Sequence, residues 1–142
     1  MPVQKIKLVL DTNTLISGLL WKGNEFQLLE KIEQGKAFLF LTKEIISEID
    51  RVLHYQRLES YILKAGISIE ELLKKIISLS HIILESSVNI NVCRDPEDNK
   101  FIECAVLANA RYVVTGDEDL LVLKEYKDIN IITTNEALKL IS

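Results

Sequence analysis

Residues 7–20 read KLVLDTNTLISGLL, a short apolar run followed by polar residues and then by an amphipathic segment. The run over 7–10 is too short for a helix and has the composition of a buried strand. The polar residues over 11–14 can cap a helix, and the leucine and isoleucine residues that follow recur at helical spacing. A buried strand that leads directly into a helix is typical of α/β proteins.

The alternation of strand and helix continues along the chain. Short apolar or β-branched runs predict four further strands, over 37–41, 81–91, 111–115 and 129–132. Helical patterns lie between them, including a short helix over 117–126 and a helix that begins with a capping box of Ser68 and Glu71. Strands separated by helices predict a parallel sheet with helices on both faces. We therefore expect a three-layer α/β/α fold on a five-stranded parallel sheet, in a single domain over residues 1–142.

Composition excludes several classes of protein. The chain has 17 basic and 21 acidic residues, a net charge of −4, so it is not a basic nucleic-acid coat protein. Its 48% hydrophobic content is too high for a disordered chain. Cys93 and Cys104 match no paired metal spacing, which favours a reducing compartment. No apolar stretch approaches the roughly 18 residues of a membrane span. We therefore expect a cytoplasmic protein with no membrane partner.

Acidic residues lie just after two of the predicted strands and at the start of one predicted helix, close to where open parallel sheets bind their ligands. Ligands of such sheets bind beyond the carboxyl ends of the strands, where the strand order reverses. Asp11 ends the first strand, Asp117 and Asp119 follow the fourth, and Asp95 and Asp98 open the helix before the fourth. We expect these carboxylates to meet at one edge of the sheet.

Several of these acids also have a purely structural interpretation. Segment 95–98, DPED, is close to an ideal helix start, and Asp117 can cap the short helix after it. Glu48 and Asp50 lie equally far from the apolar stripe of their helix, so periodicity does not choose between them. Asp11 is harder to explain, because Thr12 and Asn13 can supply the cap and no lysine or arginine near in sequence is an obvious partner.

The joint pattern indicates a cation site. Carboxylates about 6 Å apart repel by roughly 3 kcal/mol per pair at an effective dielectric of 20, so they need protons or cations between them. A ligand set of oxygen atoms alone selects Mg²⁺ or Mn²⁺. If the four acids of such a site are left out of the count, the remaining acidic residues equal the 17 basic residues in number. The negative surplus of the chain can therefore belong to the site.

Four parts of the sequence carry a resemblance to a known family. They are LDTN at 10–13, Glu48 in a mid-chain helix, DPEDNKF at 95–101 and VTGDEDLL at 114–121. Together and in this order they resemble the PIN domain family, and within it the toxin components of VapC-type toxin–antitoxin systems. The resemblance spans essentially the whole chain. It implies a sheet of order 3-2-1-4-5, with the ends of the first and fourth strands side by side.

The resemblance also implies site residues. Its catalytic and metal-binding acids fall on Asp11, Glu48, Asp98 and Asp117. Supporting positions fall on Asn13, Thr115 and Asp119. In an alternative register, Asn99 stands at the third acidic position, and Asp98 or Asp95 substitutes for it.

The implied function is that of a Mg²⁺- or Mn²⁺-dependent endoribonuclease that hydrolyses RNA phosphodiester bonds. As a toxin it would have an antitoxin protein as partner, and it would form a homo-oligomer, most simply a dimer. Carboxylates repel phosphate, so basic side chains at the rim, Arg51, Arg94 or Lys100, are candidates for holding the RNA backbone.

Three alternative functions remain. A phosphotransferase of the haloacid-dehalogenase kind needs a second aspartate where Asn13 stands, and a receiver domain needs a lysine near Thr133 and Thr134. Both are disfavoured by these replacements. The third alternative is a non-catalytic PIN-like module that binds RNA or a partner protein.

Overall fold

The computed structural model describes residues 6–84 and 88–141. The strands in these residues are β1 (Ile6–Leu10), β2 (Ala37–Thr42), β3 (Ser80–Ile83), β4 (Tyr112–Val114), β5 (Glu125–Tyr126) and β6 (Ile129–Ile132). The helices there are α1 (Thr12–Leu20), α2 (Asn24–Glu33), α3 (Lys43–Leu53), α4 (Glu59–Ala65), α5 (Ile69–Leu79), α6 (Asn99–Ala108), α7 (Glu118–Leu121) and α8 (Thr134–Ile141). The same described residues also contain 3₁₀ turns at Gln56–Leu58 and Pro96–Asp98.

The strands form one sheet in the order β3-β2-β1-β4-β6-β5. All neighbours pair in parallel except β5, which is antiparallel to β6. Helix α6 packs across β1, β2 and β4, and α2 packs on β2 and against α1 and α8. The prediction of a three-layer α/β/α fold with β1 beside β4 is therefore confirmed. The predicted number of five strands is wrong, because β5 adds a sixth at one edge.

The additional strand occupies part of a predicted helix. Helix α7 covers only four residues of the segment 117–126 that was expected to be helical. Lys124 and Lys127 have positive φ angles of 63° and 54°, and these left-handed residues turn the chain before and after β5. Ile131 then donates its N–H to the carbonyl of Lys124 at 2.8 Å, so the turned segment is bonded to β6.

The third strand is much shorter than predicted. Of the segment 81–91, only the part up to Ile83 is strand, residues 88–91 are not, and residues 85–87 lie outside the described residues. The N–H of Ile90 donates to the Glu103 carboxylate at 3.0 Å. A carboxylate of α6 thus accepts a backbone N–H group for which the β-branched pattern predicted a partner within the sheet.

Two local features fix the helices around the sheet. Ser68 caps α5: its Oγ accepts the N–H of Glu71, as the capping box predicts, and its hydroxyl also donates to the Glu71 carboxylate, each at 3.1 Å. At Gly18, an added Cβ would lie 2.5 Å from Leu29 Cδ1 and 2.9 Å from the Glu25 carbonyl oxygen. Glycine at this position therefore lets α1 and α2 pack closely.

The centre of the sheet is fully apolar, and its carboxyl edge is not. Leu8, Val9 and Leu10 of β1 have no exposed surface. Buried polar residues lie at or near the carboxyl ends of the central strands, and they are Asp11, Thr12, Thr14, Thr42, Asp98, Asn99, Lys100 and Thr115. None of the helices in the described part of the chain combines the length and apolar character that a bilayer crossing requires.

Candidate active site

Asp11 lies at the end of β1 and is buried. Its N–H donates to the carbonyl of Val114 at 3.1 Å. Its Oδ1 accepts the N–H of Thr14 at 2.8 Å, and its Oδ2 accepts the hydroxyl of Thr115. Asp11 is therefore the N-cap of α1, and the expectation that Thr12 or Asn13 supplies the cap is wrong. Burial raises the pKa of Asp11, the hydrogen bonds from Thr115 and Thr14 oppose this, and the charge of Asp117 adds to it.

Thr115 connects the ends of β1 and β4. It has no exposed surface, and while its hydroxyl donates to Asp11 its Oγ accepts the N–H of Asp117 at 2.9 Å. One hydroxyl can both donate and accept, so both contacts form together. Asp117 Oδ1 in turn accepts the N–H of Asp119 at 3.0 Å and caps α7. Because β1 and β4 are adjacent and parallel, this short network holds two carboxylates at the same edge.

Asp98 faces the same edge from the other side of the site. It ends the 3₁₀ turn before α6 and is 9% exposed. Burial raises its pKa to about 7, and the charges of Asp117, Asp95, Asp11 and Asp119 contribute, in that order. The structure thus brings these five aspartates into one electrostatic cluster.

The Oδ2 atom of Asp98 is buried and has no hydrogen-bond partner among the described residues. A buried carboxylate oxygen among like charges requires a proton or a cation. Asp98, together with Asp11 and Asp117 whose charges act on it, therefore fits a divalent ion that prefers oxygen ligands.

The described residues contain no group of three or more Asp, Glu, His or Cys side chains already arranged to hold a metal ion. Mg²⁺ in proteins is usually bound by one or two carboxylates and keeps several waters. The residues of this edge are compatible with an ion that one or two carboxylates hold directly and a third holds through water.

Glu48 lies beside this cluster but is already bonded. Its Oε1 accepts the hydroxyl of Thr12, and its Oε2 accepts the ammonium of Lys100. Arg51 Nη2 lies 3.7 Å from the same Oε2. Asp50, which periodicity could not distinguish from Glu48, is exposed and lies 3.5 Å from His54 Nδ1. The helix therefore turns Glu48 towards the edge of the sheet and Asp50 towards solvent.

The two alternatives to Asp98 have structural contacts of their own. Asn99 Oδ1 accepts the N–H groups of Val92 and Cys93, each at 3.0 Å, and its Nδ2 donates to the carbonyl of Pro96 at 3.1 Å. These bonds join the loop before the 3₁₀ turn to α6. Asp95 caps that turn by accepting the N–H of Glu97 at 3.0 Å, as its structural interpretation predicts.

The remaining predicted residues lie at the rim. Asn13 is exposed in the first turn of α1. Arg94 Nε donates to Asp119 Oδ1 at 2.8 Å, and its side chain is 55% exposed. Arg51 is also exposed. Lys100 is buried, so the expectation that it lies at the rim is wrong.

Sequence reasoning missed the role of Thr12 and the burial of Lys100. Both contact Glu48, which is 36 residues from Thr12 and 52 from Lys100. No local pattern marks a lysine whose partner is so distant in sequence.

Comparison with known proteins agrees with this geometry. The family model described as PIN domain matches residues 7–119. The chain is also similar to the Uncharacterized protein MJ1680 of Methanocaldococcus jannaschii, with 36% identity over 122 residues, which cover 85% of this chain and 77% of that protein. With an acidic edge on a sheet of order 3-2-1-4-6-5, this chain belongs to the PIN domain family, whose members are commonly nucleases that use divalent metals.

Proposed function

We propose that the protein is a metal-dependent endoribonuclease that hydrolyses RNA phosphodiester bonds at the carboxyl edge of its sheet. The observation that carries this proposal is the buried, unpartnered Oδ2 of Asp98 among four other aspartates. Family membership supports the coarser nuclease function, and the cluster supports the use of a divalent cation.

In this proposal Asp11, Asp98 and Asp117 hold Mg²⁺ or Mn²⁺. The bound ion supplies acidified water and stabilises charge on the phosphate and leaving oxygens. The protein contributes position: Thr115 and the N–H of Thr14 fix the two oxygens of Asp11. Asp119, which bonds Asp117 through its backbone, is a further acid of the site.

The exposed arginines support a nucleic-acid substrate. Arg94 on Asp119 and Arg51 beside Glu48 place positive charge at the acidic edge. Each guanidinium can exchange its carboxylate for a phosphate oxygen of RNA. Binding of the backbone at these arginines would offset the repulsion between the acids and the phosphates.

The nuclease proposal is tested with Asp11→Asn and Asp98→Asn, assayed on single-stranded and structured RNA with Mn²⁺ or with a chelator. We expect each variant to lose at least 100-fold in cleavage rate while its circular dichroism spectrum stays native. Asp50→Asn, which changes an exposed acid of α3, is the matched control and should keep full activity. Full activity in both Asp11→Asn and Asp98→Asn would refute the proposal.

We further propose that this nuclease is a cytoplasmic, dimeric toxin with a cognate antitoxin protein. The support is the resemblance of segments 95–101 and 114–121 to VapC-type toxins. Expression of the protein should arrest growth, and co-expression of the product of a small adjacent gene should relieve the arrest. Growth arrest by Asp98→Asn as strong as by the parent would contradict the role of nuclease activity. Tight RNA binding without cleavage would instead support the non-catalytic alternative.

A further inference from the structure

Lys100 is a buried cation next to the proposed ion site. Its side chain is 6% exposed, and it lies two residues after Asp98 at the start of α6. Its ammonium bonds Glu48 Oε2 and lies 3.3 Å from Glu97 Oε2. A buried ammonium is stable only when paired, so Lys100 and Glu48 depend on each other.

Glu48 differs from Asp11 in that one of its two hydrogen-bond donors carries a full positive charge. Thr12 donates to Oε1, and Lys100 donates to Oε2. A divalent ion at Glu48 would have to approach the ammonium of Lys100, and the two like charges repel strongly at such short range.

The acids of this edge therefore fall into two parts. Asp98 has a buried oxygen without any partner, and it lies in the field of Asp11 and Asp117. Glu48, by contrast, is neutralised by Lys100. Thr12 directly follows Asp11, so the two parts are adjacent. Among the described residues no basic side chain forms an ion pair with Asp11, Asp98 or Asp117, whereas Glu48 is paired with the ammonium of Lys100.

We infer that the ammonium of Lys100 takes the place that a second divalent cation would occupy beside Glu48, so that the site binds one divalent ion per chain. Glu48 is then a positioning residue that holds Lys100 rather than a metal ligand. This inference rests on the proposed metal site, and it assigns the number of ions and the role of Glu48 within it.

The test is the stoichiometry of Mn²⁺ binding, measured by calorimetry on the intact protein. The wild type should bind one ion per chain, and so should Lys100→Arg, which keeps the charge. Lys100→Met removes the charge while keeping the length of the side chain, and it should bind two. The double variant Lys100→Met/Glu48→Gln should return to one. Lys74→Met, a change to an exposed lysine of α5, is the matched control and should bind one.

Two ions in the wild type, or one in Lys100→Met with the affinity of the wild type, would refute the inference. If Lys100→Met does not fold, the neutral pair Lys100→Gln/Glu48→Gln and the wild-type stoichiometry decide the question. One ion in both supports the inference, and two in the wild type refutes it. Absence of both Mn²⁺ binding and RNA cleavage in the wild type would refute the proposed function itself, whereas cleavage with two bound ions would refute only this inference.

Discussion

Among the individual residues, Asp98 has a carboxyl group whose surroundings disfavour its negative charge. It is buried, faces other aspartates, and has one oxygen that no donor in the described residues satisfies. The folded chain therefore favours the protonated acid unless a cation is present.

This preference makes stability depend on pH. The pKa of Asp98 is about 7 in the folded chain, against 3.8 for an ordinary aspartate, so between these values the folded state binds a proton that the unfolded state has released. Without metal, the free energy of unfolding should fall as pH rises from about 4 to about 7, by at most about 1.4 kcal/mol per pH unit for this one group. Urea unfolding in a chelator at pH 5, 6, 7 and 8 measures it.

Asp98→Asn is the control for this pH dependence, because an amide does not titrate. Its unfolding free energy should vary less with pH, although Asp11, whose pKa burial also raises, leaves part of the slope. The same slope in Asp98→Asn as in the parent would show that Asp98 is not the titrating group.

A second prediction concerns Asn99, whose side-chain amide holds the loop before the 3₁₀ turn on α6 through hydrogen bonds. Asn99→Ala would leave the N–H groups of Val92 and Cys93 without their acceptor, at a cost of about 2 kcal/mol in unfolding free energy. Asn99→Asp keeps an acceptor at this position and should be less destabilised in chemical unfolding. Unchanged stability of Asn99→Ala together with loss of Mn²⁺ binding would instead identify Asn99 as a ligand.

These residues also show what sequence could and could not reveal. Asp11 and Asp117 follow strand ends and Asp98 lies at a helix start, and local sequence marks both kinds of position well. The orientation of Glu48 depends on Thr12 and Lys100, and the contacts of Asn99 depend on a loop without regular structure. Neither kind of contact has a periodic signal.

Among the secondary-structure elements, α1 has the most direct influence on the site, because Asp11 is its N-cap. The helix is held on α2 at Gly18, where the backbones approach too closely for a side chain. The sequence pattern predicted both helices but not their distance. The pattern also predicted a third strand that is too long. It missed β5, because a strand of two residues, between lysines in the left-handed backbone conformation, is too short to show an alternation of apolar and polar residues.

Gly18→Ala tests the contact between α1 and α2. Alanine favours a helix by up to about 1 kcal/mol, but its Cβ would overlap Leu29 and the Glu25 carbonyl, and overpacking costs about 1–3 kcal/mol. We expect a net destabilisation of about 1–2 kcal/mol in chemical unfolding. Gly23→Ala, where an added Cβ meets no atom within 4 Å, is the control. A Gly18→Ala protein more stable than its parent would contradict the close approach.

For the molecule as a whole, the net charge of −4 opposes association with RNA, so binding depends on local positive groups. Composition gives the net charge, but it does not show that Lys100 is buried. At the acidic edge these local positive groups are Arg51 and Arg94, on which the proposed attraction to RNA depends.

RNA binding should accordingly have a weak salt dependence. Two phosphate contacts on single-stranded RNA give a slope of about −1.4 in log K against log salt, and Arg94→Ala should reduce its magnitude by about 0.7. Fluorescence anisotropy in Ca²⁺, at several salt concentrations, measures both slopes. Arg111→Ala, just before β4 and away from its carboxyl end, should leave the slope unchanged. An unchanged slope in Arg94→Ala would exclude that arginine from the RNA contact.

The short strand β5 has a consequence for behaviour at high concentration. An open sheet border exposes unpaired backbone groups that can recruit another chain and begin a fibril. Here the border beside β6 ends in two residues between Lys124 and Lys127, whose left-handed conformations turn the chain away at both ends. Fibrils should therefore not grow from this side of the sheet.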